Sequence, residues 1–161
     1  MTRDTYAGNP LLKGAYQPLE YDKETIEEFL RCSKDPVHFA RTYMQIIHVD
    51  HGLMPFDLYD YQEEMVQTMH ENRFVICKMP RQTGKSTTIV AYLLHFALFN
   101  PQSNIAILAN KGSTSREILQ RLKTAYEHLP KWLQQGVVVW NRGNIELENG
   151  SLLIMSGLTQ K

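Results

Sequence analysis

A lysine and a serine follow a glycine at positions 84–86, inside the segment MPRQTGKST that runs from Met79 to Thr87. A lysine ammonium can reach the β- and γ-phosphates of a nucleotide, and a neighbouring hydroxyl can bind Mg²⁺. The backbone N–H groups of such a loop wrap phosphates, and the N-terminus of a following helix adds partial positive charge. The segment therefore predicts a P-loop that binds ATP and Mg²⁺, with Lys85 and Ser86 in these two roles.

The flanking elements fit a phosphate cradle. The run FVICKM, residues 74–79, is typical of a short buried strand, and TTIVAYLLHFALF, residues 87–99, is typical of a helix buried on nearly every side. The usual first glycine of the motif is absent, because Met79 stands in its place. The alternative interpretation is an ordinary helix-capping glycine loop with a solvated lysine.

Helices and strands alternate along the rest of the chain. Asp22 is a capping residue for a helix that ends near Lys34, and Asp35 with Pro36 predicts the start of a second one. Further periodic segments predict a helix over 58–73, a strand over 104–110 and a helix over 112–129. This order predicts parallel strands joined by crossovers, with ligands at the carboxyl ends of the strands.

The sequence divides into three predicted parts. They are an extended arm over 1–20, a helical N-terminal segment over 21–55 and the front part of a P-loop ATPase domain over 56–161. The last part ends in β-structure, with a hairpin turn at Asn149–Gly150. The predicted fold class is α/β, a P-loop NTPase-type parallel sheet with flanking helices that is preceded by a small helical segment.

Composition sets limits on partners and compartment. Lys plus Arg and Asp plus Glu each total 17, so the formal net charge is +0 and neither suggests nor excludes contact with nucleic acid. Cys32 and Cys77 lack a metal-ligand spacing, which favours a reducing compartment. Because no stretch is long and apolar enough for a membrane span, we expect a soluble cytoplasmic protein.

Four segments together resemble the large terminase subunits of tailed, T-even-like phages, which are ATP-driven DNA-packaging motors. They are DYQEEM, PRQTGKST, ILANKGSTS and WNRGNIELENGS, and the resemblance spans roughly residues 55 to 150. In that family the first glycine of the P-loop is characteristically missing, and an arginine precedes the glycine-lysine pair, as Arg81 does here. The resemblance therefore explains the departure at Met79.

The same resemblance implies roles for individual residues. Tyr61 and Gln62 match the family's adenine-binding pair, and Arg81 is a candidate for sensing or neutralising the charge of the γ-phosphate. The expected catalytic residues are Arg81 and Lys85, and the expected Mg²⁺ ligand is Ser86. Alternatively, Arg81 forms a structural ion pair and Gln62 is a solvated helix residue. The expected nucleotide-binding residues are Tyr61, Gln62, Arg81, Gln82, Thr83, Gly84, Lys85, Ser86 and Thr87.

Other expected features of the family do not occur in the sequence. These are an acidic Walker B strand, a coupling motif and a nuclease domain, so we expect an incomplete ATPase domain from a truncated or split gene product or a longer polypeptide. Such a chain should bind nucleotide and hydrolyse it poorly. The resemblance further implies double-stranded viral DNA, the portal and the small terminase subunit as partners. It also implies oligomers only in the full-length motor, and a location in the host cytoplasm, transiently at the procapsid portal.

Two other functions remain open. One is a fragment of a helicase-type P-loop ATPase, and the other is a non-enzymatic nucleotide-binding or docking module. His48 and His51 lack a third ligand nearby and are interpreted as part of a polar loop. Four basic residues lie in or around the helix predicted over 112–129, and we expect them to form a solvated face, with a DNA track as the alternative. They are Lys111, Arg116, Arg121 and Lys123.

Overall fold

The computed structural model describes residues 4–48 and 50–157, which form an α/β fold. A 3₁₀ turn, Tyr6–Gly8, comes first. The helices are α1 (Lys23–Lys34), α2 (Pro36–Tyr43), α3 (Asp60–Glu71), α4 (Lys85–Phe99) and α5 (Gly112–Glu127). The strands are β1 (Gln45–His48), β2 (Gly52–Pro55), β3 (Asn104–Ala109), β4 (Val137–Trp140), β5 (Asn144–Leu147) and β6 (Leu152–Gly157). None of the helices in these ranges is long and apolar enough to cross a membrane.

The main sheet is mixed rather than parallel. Its four strands have the order β3-β6-β5-β4, with β3 and β6 parallel and the other two pairs antiparallel. The prediction of a parallel sheet is therefore right only for β3 and β6. The reason lies in the connections, because short turns join β4, β5 and β6, whereas α5 lies in the long connection from β3. The predicted hairpin turn is confirmed, and Gly150 in it has a φ of 82°.

The predicted strand over residues 74–79 is not formed. Phe74 is 84% exposed and Ile76 is 96% exposed, and in the described ranges no strand pairs with this segment. A strand exists only when a neighbour accepts and donates its backbone hydrogen bonds. The apolar composition of the segment is typical of a buried strand, but composition does not show whether a neighbouring strand is available for pairing.

The first two helices begin where the sequence predicts. Asp22 accepts a hydrogen bond from the backbone N–H of Thr25 at 2.7 Å, and Asp35 accepts one from that of His38 at 2.9 Å. Both carboxylates satisfy an N–H group that has no partner inside its helix. Asp35 also lies directly after α1, so it forms a tight corner between the two helices.

Replacing Asp22 with alanine is expected to lower the free energy of unfolding, because the first turn of α1 loses its cap. Chemical denaturation of the purified chain measures this difference. Asp22→Asn is the control, since an amide oxygen can still accept the bond from Thr25 and should preserve most of the stability. Equal losses in the two variants would contradict the capping role.

A short hairpin follows α2 that the sequence did not reveal. Strands β1 and β2 pair antiparallel, with Ile47 opposite Leu53, and Gly52 has a φ of 68°. Both side chains are exposed, so the pair has no alternating buried face to signal a strand. His48 and His51 stack at its turn, with ring centroids 4.9 Å apart.

The hydrophobic core surrounds α4, whose buried residues include Val90, Leu94 and Leu98. Helices α2, α3 and α5 pack against it. The core also includes Phe39 of α2 and Leu12 of the N-terminal arm, each at most 1% exposed. Side chains from all three predicted parts of the chain therefore meet in one core.

Glu148 fastens the N-terminal arm to the sheet. Its carboxylate accepts hydrogen bonds from the backbone N–H groups of Gly136 at 2.7 Å and Tyr16 at 2.6 Å. It also accepts one from Lys13 Nζ at 3.2 Å. Burial alone raises the pKa of Glu148, but these donors outweigh burial and hold the pKa below its ordinary value.

Candidate functional site

The segment before α4 folds into a tight loop. Gln82 has a φ of 62° and Gly84 a φ of 71°, both in the left-handed region, and Lys85 is the first residue of α4. A Cβ atom on Gly84 would lie 2.5 Å from Gln62 Nε2. The left-handed backbone conformation is what favours glycine at position 84, because the atom nearest to an added Cβ is the end of the flexible Gln62 side chain.

The loop is closed by bonds to one carbonyl oxygen. Thr83 Oγ1 donates to the carbonyl oxygen of Pro80 at 3.0 Å, and Lys85 Nζ donates to the same oxygen. The lysine side chain therefore turns back over the loop instead of extending into solvent. This arrangement argues against the alternative of a solvated lysine after a capping glycine.

Helix α3 holds the other side of the loop. Tyr61 Oη donates to the carbonyl oxygen of Thr83 at 3.2 Å, and Gln62 Nε2 lies 3.5 Å from the same oxygen. Gln62 Oε1 accepts from the backbone N–H of Tyr59 at 3.0 Å. Because Gln62 is only 3% exposed, its interpretation as a solvated helix residue is wrong. The structure brings the predicted adenine pair to the loop from 21 residues away.

Two aromatic rings lie exposed beside this contact. Tyr59 and Tyr61 stack with ring centroids 5.6 Å apart and planes inclined by 13°. Tyr59 is 67% exposed and Tyr61 is 41% exposed. Exposed, parallel rings present a flat face on which another ring can stack.

The remaining loop residues face solvent. Arg81, Gln82 and Ser86 are exposed. No ion pair joins Arg81 to a carboxylate in residues 4–48 or 50–157, so the interpretation of Arg81 as half of a structural ion pair finds no support there. An exposed guanidinium, a hydroxyl and the N-terminus of α4 therefore lie within a few residues of one another.

A contact between α5 and α4 was not predicted. Arg121 Nη1 donates to Thr87 Oγ1 at 3.2 Å and Nη2 donates to Glu117 at 2.7 Å. Thr87 and Arg121 are 34 residues apart, and no spacing in the sequence links them. A cavity of about 340 Å³ opens beside them, lined also by Ile46 and Val90. Of the predicted nucleotide-binding residues, only Thr87 lines this cavity.

The expectation of a solvated basic face is wrong for Lys123. This residue is only 8% exposed, it donates to the carbonyl oxygen of Asn141, and its Nζ lies 5.0 Å from the centroid of the Trp140 ring. Burial lowers the pKa of Lys123, and the nearby charge of Glu127 partly opposes this shift. Lys123 and Arg121 both have protein partners, which weakens the alternative of a DNA track along α5.

Taken together, the fold and the loop define an α/β protein with a glycine-lysine-serine turn at the N-terminus of a buried helix. The sequence profile of the family described as "Terminase large subunit, T4likevirus-type, N-terminal" matches residues 76–161, more than half of the chain. The chain belongs to this family, and thereby to the components of phage DNA packaging. The matched stretch includes the loop but begins after Tyr61 and Gln62.

Proposed function

We propose that the chain is an ATP-binding part of a phage DNA-packaging motor, and that its loop over residues 80–87 is the phosphate site of a P-loop NTPase fold. The observation that carries the proposal is the loop geometry. Gly84 adopts a left-handed conformation that starts α4, and the ammonium of Lys85 is folded over the loop onto Pro80. A lysine held in this place can exchange a carbonyl oxygen for a phosphate oxygen with little movement of the backbone.

The N-terminus of α4 supplies the remaining groups. The first N–H groups of a helix have no partner inside it, and they carry partial positive charge that favours phosphate. Ser86 is exposed at this end and can present its hydroxyl to Mg²⁺. We propose that Lys85 and the backbone amides bind the β- and γ-phosphates, and that Arg81 neutralises the charge of the γ-phosphate.

For the adenine, we propose the stacked Tyr59 and Tyr61 as the platform. Both rings are exposed next to the loop, whereas the two ends of the Gln62 amide are engaged by Tyr59 and Thr83. Gln62 can bind the adenine edge only if these bonds are exchanged, and in the described conformation it positions the loop. In this proposal Tyr61 contacts the adenine by stacking, together with Tyr59, whereas Gln62 holds the loop in position.

Efficient hydrolysis needs carboxylates that hold Mg²⁺ and activate water. In the described ranges, no carboxylate is hydrogen-bonded or ion-paired to residues 80–87. We therefore propose nucleotide binding with poor hydrolysis for this chain, and coupling to double-stranded DNA, the portal and the small terminase subunit for the assembled motor. Its proposed location is the host cytoplasm and, transiently, the procapsid portal.

Thermal unfolding with and without ATP and Mg²⁺ tests the proposal. A ligand that binds only the folded state stabilises it by about 2.7 kcal/mol at 100 times its dissociation constant, so the melting temperature should rise. ATP with a chelator in place of Mg²⁺ should give a smaller rise. An unchanged melting temperature would favour a docking module without nucleotide, and rapid ATP turnover by the chain alone would contradict poor hydrolysis.

A further inference from the structure

Three side chains with metal-binding atoms meet between α1 and α2, away from the loop. They are Glu28 and Cys32 of α1 and His38 of α2, and their ligand atoms all lie within 4.8 Å of one another. His38 Nε2 is 2.5 Å from Glu28 Oε1, and Cys32 Sγ is 3.7 Å from the same oxygen. A carboxylate, a thiol and an imidazole thus converge on one point.

The local fold holds these groups in place. Glu28 and Cys32 are four residues apart, a spacing that places them on one face of a helix. Asp35 ends α1 and caps α2, so the chain turns at one residue and returns His38 to that face. Cys32 is completely buried, and its backbone carbonyl oxygen lies 2.8 Å from His95 Nε2 of α4. The site is therefore anchored to the core.

Outer groups contact two of the three side chains. Tyr43 Oη donates to Glu28 Oε1 at 3.1 Å, and Thr42 Oγ1 lies 3.4 Å from His38 Nδ1. A histidine that binds a metal through one ring nitrogen normally has a hydrogen-bond partner on the other, which fixes its tautomer. Thr42 can accept the Nδ1 proton, leaving Nε2 with its lone pair free.

We propose that Glu28, Cys32 and His38 form a Zn²⁺ site, with water as the fourth ligand. A thiolate and an imidazole favour Zn²⁺ over Mg²⁺ and Ca²⁺, which prefer oxygen ligands. Binding releases the thiol proton of Cys32 and breaks the contact between His38 Nε2 and Glu28 Oε1, and a proton on Nε2 moves to Nδ1 or is released. Zinc bonds of about 2.0–2.3 Å require the His38 and Glu28 atoms to separate. The side chain of Glu28 is 27% exposed and has room to rotate.

Metal titration of the intact chain tests this site. After treatment with a chelator, the protein is titrated with Co²⁺ and then with Zn²⁺. We expect one Co²⁺ per chain, a sulfur-to-cobalt charge-transfer absorption band, and loss of that band when Zn²⁺ displaces Co²⁺. Absence of stoichiometric binding, or binding without the sulfur band, would overturn the proposal.

The two cysteines provide a matched pair of variants. Cys32→Ser should remove the band and weaken Zn²⁺ binding about tenfold or more, whereas Cys77→Ser, at an exposed cysteine, should change neither. If the band is lost in Cys77→Ser and persists in Cys32→Ser, the assignment is wrong.

His38→Gln keeps the test valid if Cys32→Ser does not fold, because the side chain of His38 is not fully buried. It should weaken Zn²⁺ binding by a similar factor. If the cluster is only a hydrogen-bond network, Zn²⁺ will not raise the melting temperature of the unaltered protein, whatever His38→Gln does to the metal-free form.

Discussion

Replacing Lys85 with alanine should remove most of the rise in melting temperature that ATP and Mg²⁺ produce. The Lys85 ammonium is folded over the loop onto the carbonyl oxygen of Pro80, and hydrogen bonds to charged groups contribute about 1.5–3 kcal/mol each. Because every 1.4 kcal/mol corresponds to a factor of ten, affinity should fall about 10- to 100-fold. Thermal unfolding over a range of ATP concentrations, together with fluorescence titration of a nucleotide analogue, measures this loss.

Lys78→Ala is the matched control for this experiment. Lys78 is an exposed lysine in the segment just before the loop, so the variant loses the same charge without altering the site. It should retain the response to ATP and Mg²⁺. If Lys85→Ala and Lys78→Ala respond alike, the loop is not the phosphate site, even if nucleotide still binds to another part of the protein.

Replacing Glu148 with glutamine should destabilise the folded protein by about 3 kcal/mol. The substitution preserves size but removes the charge opposite Lys13, whose side chain is 9% exposed, and leaves that ammonium buried without a counter-charge. It also weakens the acceptor of the N–H groups of Gly136 and Tyr16. Urea denaturation at neutral pH measures the free energy of unfolding.

Two further measurements separate charge pairing from packing. In the double variant Lys13→Met with Glu148→Gln, no unpaired ammonium remains, so part of the stability should return. The pKa of Glu148 is lower in the folded than in the unfolded protein, so its contribution is present above the unfolded pKa and is lost as pH falls through the folded pKa. Glu148→Gln should therefore lose less stability on acidification, and an identical pH dependence in both proteins would refute this explanation.

The helices could be predicted because their signals are local. Asp22 and Asp35 mark two helix starts by their own side chains, and the periodic apolar residues that follow give each helix a face to bury. The Gly84–Lys85–Ser86 turn is equally local, since its backbone conformation depends on a glycine directly before the first residue of a helix. All these features are confined to a few consecutive positions.

The strands were harder to predict because a strand depends on a distant partner. FVICKM has the composition of a buried strand, yet Ile76 is almost fully exposed, and no strand in the described part of the chain lies beside it. The β1–β2 hairpin shows the opposite error, since its exposed Ile47 and Leu53 gave no alternating pattern. Strand pairing depends on two segments, so it cannot be predicted from the sequence of either segment alone.

The contacts that complete the site also join distant residues. Gln62 reaches Thr83 across 21 residues, and Arg121 reaches Thr87 across 34. The Glu28–Cys32–His38 cluster depends on the corner at Asp35, so the spacing of the cysteines did not suggest it. In each case the residue types were visible in the sequence, but their proximity was decided by the packing of helices.

The exposed Phe74 and Ile76 have a practical consequence for handling the protein. An exposed apolar stretch that is not paired with a strand is the kind of surface through which chains associate into aggregates. Arg73 and Lys78 flank this stretch, and charges in such positions act as gatekeepers that oppose stacking of neighbouring chains. Because that local repulsion is electrostatic, we expect association through this stretch to increase as ionic strength rises.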